Sequence, residues 1–598
     1  MKNQSTPELA NNKHPAGLNA SHSPSQLIAA LDNPLSWQYL FNPVLNRLAS
    51  LNSDTTKTST DELENALTEK LAEAKEIYPL LQMPAPSAHW LPLVYRSTIL
   101  DPCVSAGEYV TRGQALVHLS FDPIDNSPLP GLPSPVSGKI ISSDSIQQLE
   151  IDTPPIRCIE IAPADCDKNE DNQTESANTG SPCFWQSRPW LTADRTERLE
   201  LLLTSGISGH GGGGFLLTNK LRHPIDTLII NAVECEPLIS CDATLIAHSA
   251  NTVMQGILSL IEMIACKHCH IALENHNGKS DENPQALAID GLWQQHALQQ
   301  ATDQLIQQAP NQHTGALQAL AQCISFHTVE NSYPSGAEKQ LIPLITGASH
   351  PHPPVQSGIC CINIATCHAV DHLTTTGEAP RSRIVTLCGD VVAEKTAQPS
   401  INIQVHLGTI VREALAFAGL PAQDVRIVQG GPVCGQEMAS LDVPIQAHTN
   451  CLVVTKTTAQ TANDNCIRCG NCQDVCPADL LPQDLYRFTH NQNLEAAAEL
   501  RLDQCLLCGC CDLVCPSHIP LTTQFRGALQ QQRKADRDQR KADLADANYK
   551  RRQQRLQLKE EKRAKRVAER RRVTDNSAAK KQAISDALAR ARKTNPKE

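Results

Sequence analysis

The chain has 598 residues, 24 cysteines, 3 % aromatic residues and a formal charge of −11. That length exceeds what one hydrophobic core organises, so about four domains are expected. No run reaches the ~18 apolar residues that cross a bilayer. The best, at 256–265, is too short, and the opening MKNQSTPELANNKHP lacks the apolar stretch of a secretory signal.

Charge is uneven along the chain. Residues 527–598 hold 23 Lys and Arg against 10 Asp and Glu, whereas the preceding part holds 29 against 53. A basic tail on an acidic body predicts a separate role for the tail. The cysteines are uneven too: eight fall in two tight runs, and the other sixteen form no framework, as expected of reduced thiols in a cytoplasm.

Residues 1–85 read as a polar extension, Pro/Asn/Ser-rich to 58, with one helix opened by Asp61 and Glu64 and running to Leu80. From Leu91 the pattern becomes short β runs with turns at Gly107, Gly113 and Gly138. Residues 86–165 resemble the barrel-sandwich hybrid of biotinyl and lipoyl domains. That family modifies a Lys in a Met-Lys hairpin; here the turn reads PVSGK and Lys139 does not match, so the domain is read as structural.

An acidic linker (163–190) leads to an α/β domain at 190–383. It opens with a helix near 192–204, a glycine-rich loop at 206–215 and a buried strand at 227–233. The polar, Gln-rich stretch 274–322 is expected to decorate the surface as helix and loop. The runs RIVTLCGDVV and DVRIVQGGPV bracket a helix near 407–417, which suits a small β-grasp domain at 384–445. A two-cluster, ferredoxin-type helical domain follows at 446–525, then a basic tail at 526–598. The tail is rich in Ala, Lys, Arg and Gln, so a solvated helix or a helix–coil mixture is expected.

The strongest chemical signal is the doubled cysteine run. Cys466, Cys469, Cys472 and Cys476 are spaced C-x2-C-x2-C-x3-C before Pro477, and Cys505, Cys508, Cys511 and Cys515 repeat the spacing before Pro516. Three closely spaced thiolates curl around one [4Fe–4S] cube, and the fourth crosses to the other cluster. The expected ligand sets are therefore Cys466, Cys469, Cys472 and Cys515, and Cys476, Cys505, Cys508 and Cys511. Cys510 falls outside the spacing and is expected not to ligate. Zinc ribbons separate their C-x2-C pairs by a dozen residues or more, and disulfides need an oxidising compartment.

The loop Gly209, His210, Gly211, Gly212, Gly213, Gly214 matches G-x-G-x-x-G, but a helix precedes it where a Rossmann unit requires a strand. No GK[ST] follows it, so it is not a P-loop. Its consecutive glycines still let backbone N–H groups approach a phosphate or a flat ring. Past the strand, Asn231, Glu234 and Glu236 stand at a C-terminal strand end, where α/β sheets bind ligands. The two carboxylates, two apart on an extended segment, are expected to share a face and accept from ribityl or ribose hydroxyls.

SGHGGGGF with its downstream Lys220, NAVECEP–CD, YPSGAEKQLI, GGPVCG and the two cysteine runs occur in that order. Together they resemble the C subunit of the Rnf/Rsx ion-translocating oxidoreductase complex, over about residues 86–525. That family is in turn similar to the NADH-binding flavoprotein subunit of complex I. The resemblance implies FMN and NAD(H) in a complex-I-flavoprotein-like α/β domain, with two [4Fe–4S] clusters beyond it. The implied cofactor residues are Gly209, Gly211, Gly212, Gly214, Phe215, Lys220, Asn231, Glu234, Glu236 and Glu338. The chain departs from the family's usual Ala at Gly213, Pro-Thr at Leu216-Leu217 and Gly at Ala337.

The expected function is electron transfer between NAD(H) and ferredoxin-type carriers through flavin and clusters, coupled to ion translocation by partner subunits. A flavin belongs between the two because it takes a hydride's electron pair and releases electrons singly. No side chain need act as general acid or base, so no catalytic residue is assigned. Implied partners are integral membrane and flavoprotein subunits, a soluble ferredoxin-type subunit and NADH, on the cytoplasmic face of a bacterial inner membrane. Membrane contact would be indirect or through the basic tail. The alternative is an iron–sulfur relay or scaffold subunit with a degenerate nucleotide site. Nucleic-acid binding is disfavoured because the tail lacks interleaved aromatics.

Overall fold

The computed structural model describes residues 71–594 except 72, 77, 96–97, 123–126, 148–154, 165–193, 276–291, 310, 331, 350–352 and 458–463. The expected disorder of 1–58, most of the helix begun at Asp61 and nearly all of the acidic linker lie outside the described residues. Leu71 and Glu73–Glu76 are helical, in line with the end of that helix.

A four-stranded parallel sheet forms the centre of the body. Its order is Ile324–Glu330, His268–Asn275, Thr227–Ala232, Ile359–Asn363. Both faces are covered, so TLIINA can be apolar almost throughout. Leu228 and Ile230 face the helices Cys241–Ile264, Leu292–Gln308 and Ile364–Thr376, while Ile229 faces Glu338–Thr346 with Leu341 and Ile342. The helices Cys241–Ile264 and Ile364–Thr376 cross at Gly256, where a Cβ would lie 1.9 Å from the Cys367 carbonyl oxygen. The opening helix is Arg195–Thr204, held by a reciprocal capping box between Asp194 and Glu197.

The Gln-rich insertion departs from expectation. Helix Leu292–Gln308 buries Trp293, Ala297, Leu298, Ala301 and Leu305, one stripe at helical spacing, in the main core. Abundant glutamine on its other positions hides that stripe in the composition.

A six-stranded mixed sheet runs Leu80–Gln82, Ser400–His406, Ser382–Cys388, Cys451–Lys456, Val425–Gln429, Gln436–Glu437. It extends past the expected 384–445 boundaries at both ends. Leu80–Gln82 pairs parallel with Ser400–His406, and Cys451–Lys456 lies between two other strands, placing Leu452 and Val454 in the core. Single strands added from a distance carry no local signal of their partners. A separate antiparallel sheet, His89–Pro92, Ile156–Pro163, Gly138–Gln147, Tyr109–Val110, closes over Leu116, Val117, Ile140, Ile159 and Ile161.

Helix Leu521–Thr594 begins in the body, and from Gly527 the chain forms a second unit. Leu544, Tyr549, Leu556, Leu558, Val567 and Val573 are exposed on it, and Asp546 and Lys550 pair at 2.8 Å one turn apart. This is the solvated helix expected, supported by i,i+4 pairs rather than by a core. Among the described residues no helix is long and apolar enough to cross a membrane.

Candidate functional site

A cleft of about 1010 Å³ opens at the C-terminal ends of the parallel strands. Gly211, Gly212, Gly213, Gly214, Phe215, Asn231, Glu234, Glu236, Asp242, Asn363 and His448 line it. The glycine loop is pinched at its neck, where the Gly209 N–H donates to the Phe215 carbonyl at 2.8 Å and the Leu217 N–H to Ile207 at 3.0 Å. Its tip is thereby held out as four glycines. Gly212 has φ +92° with nothing within 4 Å of a Cβ built on it, whereas a Cβ at Gly211 would strike Asn363 at 2.8 Å. The loop thus packs on one side and is bare on the other, as a cradle for a phosphate or a flat ring requires.

The carboxylates are arranged differently from expectation. Glu234 accepts from the Asp242 and Ala243 N–H groups at 2.8 and 2.7 Å, capping helix Cys241–Ile264. Glu236 accepts from the Val433 and Cys434 N–H groups at 3.1 and 2.9 Å. They line one cleft but do not present a shared free face, because backbone donors left unpaired by the fold take both. Burial, and for Glu234 the neighbouring Asp242, lifts Glu234 and Asp242 above the ordinary carboxylate range. Asp242 also accepts from Asn363 Nδ2 at 2.6 Å, and Asn231 Nδ2 donates to the Gly336 carbonyl at 2.9 Å. Burial, with Arg383 nearby, holds His210 down to about 3 and His448 down to about 4, so neither is charged at neutral pH.

Three other expected residues do not line the cleft. Gly209 forms the loop's neck. Lys220 and Glu338 pair with each other at 2.7 Å, and Lys220 also donates to the Cys361 carbonyl at 2.8 Å. A partly buried ammonium needs a counter-charge, and Glu338 supplies it. Leu216 and Leu217 are core residues, and the Leu216 N–H donates to the Tyr95 hydroxyl at 2.8 Å. That departure from the family pattern therefore points away from the cleft.

Cys476, Cys505, Cys508 and Cys511 line one cavity, closed by Leu480, Leu485 and Phe525. This is the crossed set expected for one cluster, with its fourth member drawn from the other run. Cys510 also borders that cavity. The two runs also meet beside the remaining set: the Asp464 N–H donates to the Ser517 carbonyl at 3.0 Å, and Ser517 Oγ to the Asn465 carbonyl at 3.0 Å. These bonds join the residues just before Cys466 to those just after Cys515.

The two sites share a wall. Leu506 and Cys508 border both the cleft and the cysteine cavity. Tyr333, which lines the cleft, donates its hydroxyl to the Cys508 carbonyl at 2.6 Å, and Arg526 Nη2 donates to the Cys434 carbonyl at 3.2 Å. Gln340 Nε2 bonds the Pro477 carbonyl at 2.8 Å, and Lys339 Nζ the Asp503 carbonyl at 3.1 Å. Tyr333, Cys434, Asn363 and Leu506 were not singled out as site residues. Only YPSGAEK and GGPVCG hinted at the first two.

A glycine cradle beside two cluster-spaced cysteine runs defines an electron-transfer protein of the flavin and iron–sulfur class. Residues 202–372 match the Nuo51 FMN-binding domain, and residues 465–519 match the 4Fe-4S dicluster domain. The C subunit of the ion-translocating oxidoreductase complex of Salmonella arizonae is 34 % identical over 523 residues, 86 % of this chain and 69 % of that protein. Its counterpart in Salmonella gallinarum is 33 % identical over the same shares. The chain belongs to this family, the C subunits of ion-translocating oxidoreductase complexes, and works with the other subunits of such a complex. A crystal structure of an NAD+-reducing [NiFe]-hydrogenase in the H2-reduced state aligns at 17 % identity and a TM-score of 0.38. It covers 58 % of this chain and 65 % of that one, too remote a likeness to carry an argument.

Proposed function

We propose that this subunit takes electrons from NAD(H) in the glycine-lined cleft and relays them through the cysteine-held clusters towards ferredoxin-type carriers. The observation that carries this reading is the shared wall of Leu506 and Cys508, which leaves one layer of residues between cleft and cluster cavity. FMN supplies the exchange between a hydride's electron pair and single electrons. The glycine loop offers backbone donors without side-chain obstruction, and Asn231, Asp242 and Asn363 orient what lies against it. Tyr333 and Glu236 fix the wall by bonding the Cys508 carbonyl and the 433–434 amides.

The small antiparallel sheet is read as a barrel-sandwich hybrid and the six-stranded sheet as a β-grasp unit. The protein is placed peripherally on the cytoplasmic face of a bacterial inner membrane. Its partners there are integral membrane and flavoprotein subunits and a soluble ferredoxin-type subunit. Contact with anionic lipid is indirect or runs through the basic tail.

The test is the visible spectrum of anaerobically purified protein, with flavin and iron quantified, before and after NADH. Flavin near one per chain, iron near eight, and bleaching of both chromophores by NADH are expected for FMN and two four-iron clusters. Full iron with clusters reduced by dithionite but not by NADH would replace this reading with the relay reading.

A further inference from the structure

The cleft is larger than one mononucleotide requires. Its volume of about 1010 Å³ stands at the top of the roughly 300–1,000 Å³ that encloses one drug-sized ligand. Its lining is also chemically mixed. One group of lining residues is Glu234, Glu236 and Asp242. A second arm of the lining carries Trp90, Arg112, Arg381 and Ser134, with Glu378 paired to Arg112.

Five separate chain segments are knitted into that arm. The Trp90 N–H donates to the Gly408 carbonyl at 2.8 Å, and the Leu407 N–H to the Arg381 carbonyl at 2.7 Å. Arg112 Nε lies 3.2 Å from a carboxylate oxygen of Glu378, and the Gly113 N–H donates to the Ser134 carbonyl at 2.9 Å. Trp90 stands on strand His89–Pro92 between buried His89 and Leu91, so alternation turns its indole to the other face, where it lines the cleft. Backbone bonds and one ion pair thus tie together the segments that carry an indole and two guanidinium groups, all lining one cleft.

That combination has a recognisable chemistry. An indole face stacks a purine, and planar guanidinium forks match phosphate oxygens. We propose that this arm seats the adenosine diphosphate half of the dinucleotide, leaving the nicotinamide half to reach the glycine loop. This rests on the NAD(H) reading above and deepens it. It also turns the small antiparallel sheet, expected from sequence to be structural, into one wall of a nucleotide site.

The test uses full-length holoprotein and ADP-ribose, which carries the adenosine diphosphate half but cannot donate a hydride. Trp90→Ala and Arg381→Gln are each expected to weaken ADP-ribose binding about tenfold or more. The KM for NADH should rise with kcat at saturation retained, and Trp90→Phe should recover most of the affinity. Flavin and iron per chain, unchanged in all three variants, report an intact fold. Wild-type protein that binds ADP-ribose, with both variants binding equally well, overturns the arm and leaves the NAD(H) reading standing. Wild-type protein reduced by NADH yet indifferent to ADP-ribose does the same. Wild-type protein that neither binds ADP-ribose nor is reduced by NADH overturns both.

Discussion

The cysteine region and the cleft share a wall, yet they are built in opposite ways. All eight expected ligands come from one stretch between Cys466 and Cys515, with spacers too short to leave them apart. The cleft draws its lining from segments spread between Trp90 and Arg526, and each segment is held by bonds to another. A cluster site therefore tolerates little change in any one ligand, since each thiolate is irreplaceable. A convergent cleft spreads its dependence over supporting contacts. Damage to the first should be abrupt and local, and damage to the second graded.

The largest effect should come from a ligand. Cys508→Ser is expected to remove or convert one cluster, with iron falling towards half, whereas Cys510→Ser retains both. Iron and acid-labile sulfide per chain decide it, and equal losses in the two variants would break the contrast.

Next is a support of the shared wall. Glu236→Ala leaves the Val433 and Cys434 N–H groups without their acceptor, at about 1–3 kcal/mol each. A lowered urea midpoint is expected, with Glu236→Gln intermediate. A midpoint equal to wild type would mean that the wall does not depend on this carboxylate.

A third prediction lies in the scaffold beneath the cleft. Burial alone lifts Asp371 to about 8, against about 4 in an unfolded chain. The native state therefore holds a proton that the unfolded state releases, so this group's contribution is full below pH 4 and is lost as pH rises through 8. Melting temperature should fall between pH 6 and 8.5 in the wild type and fall less in Asp371→Asn. Parallel curves would refute the buried acid.

Gly212→Val probes the cleft itself. The position has φ +92° and open space around it, so strain of about 1–2 kcal/mol is expected without collapse of the fold. NADH-driven reduction should drop while dithionite still reduces the clusters; unchanged NADH kinetics would make the loop structural. Smallest of all, deleting 530–598 should leave flavin and iron content unchanged and weaken retention on anionic vesicles. The basic excess of that segment predicts about 1 kcal/mol per residue near such a surface, fading with salt.

Much of the cysteine chemistry was legible because it is local. The x2 spacers and following prolines specify cluster loops wherever the chain goes, and the doubled run is what leads to the expectation of crossed pairing. The glycine tip was legible for the same reason, since four glycines in a row admit few other uses. The strand Thr227–Ala232 and the tail helix were readable from periodicity and composition. Helix Leu292–Gln308 was misplaced because glutamine masked its apolar stripe.

What the amino-acid order determined by itself is therefore the set of chemical groups: eight thiolates on two loops, a bare glycine tip, and carboxylates at a strand end. Tertiary structure alone decided what those carboxylates and Lys220 are for. A buried carboxylate goes to whichever N–H groups the fold leaves unpaired, and a buried ammonium goes to the nearest counter-charge. Glu234 went to a helix N-terminus, Glu236 to the 433–434 turn and Lys220 to Glu338. That Trp90, Arg112 and Arg381, far apart along the chain, line one cleft was likewise a matter of packing. No local spacing records which distant backbones will pair.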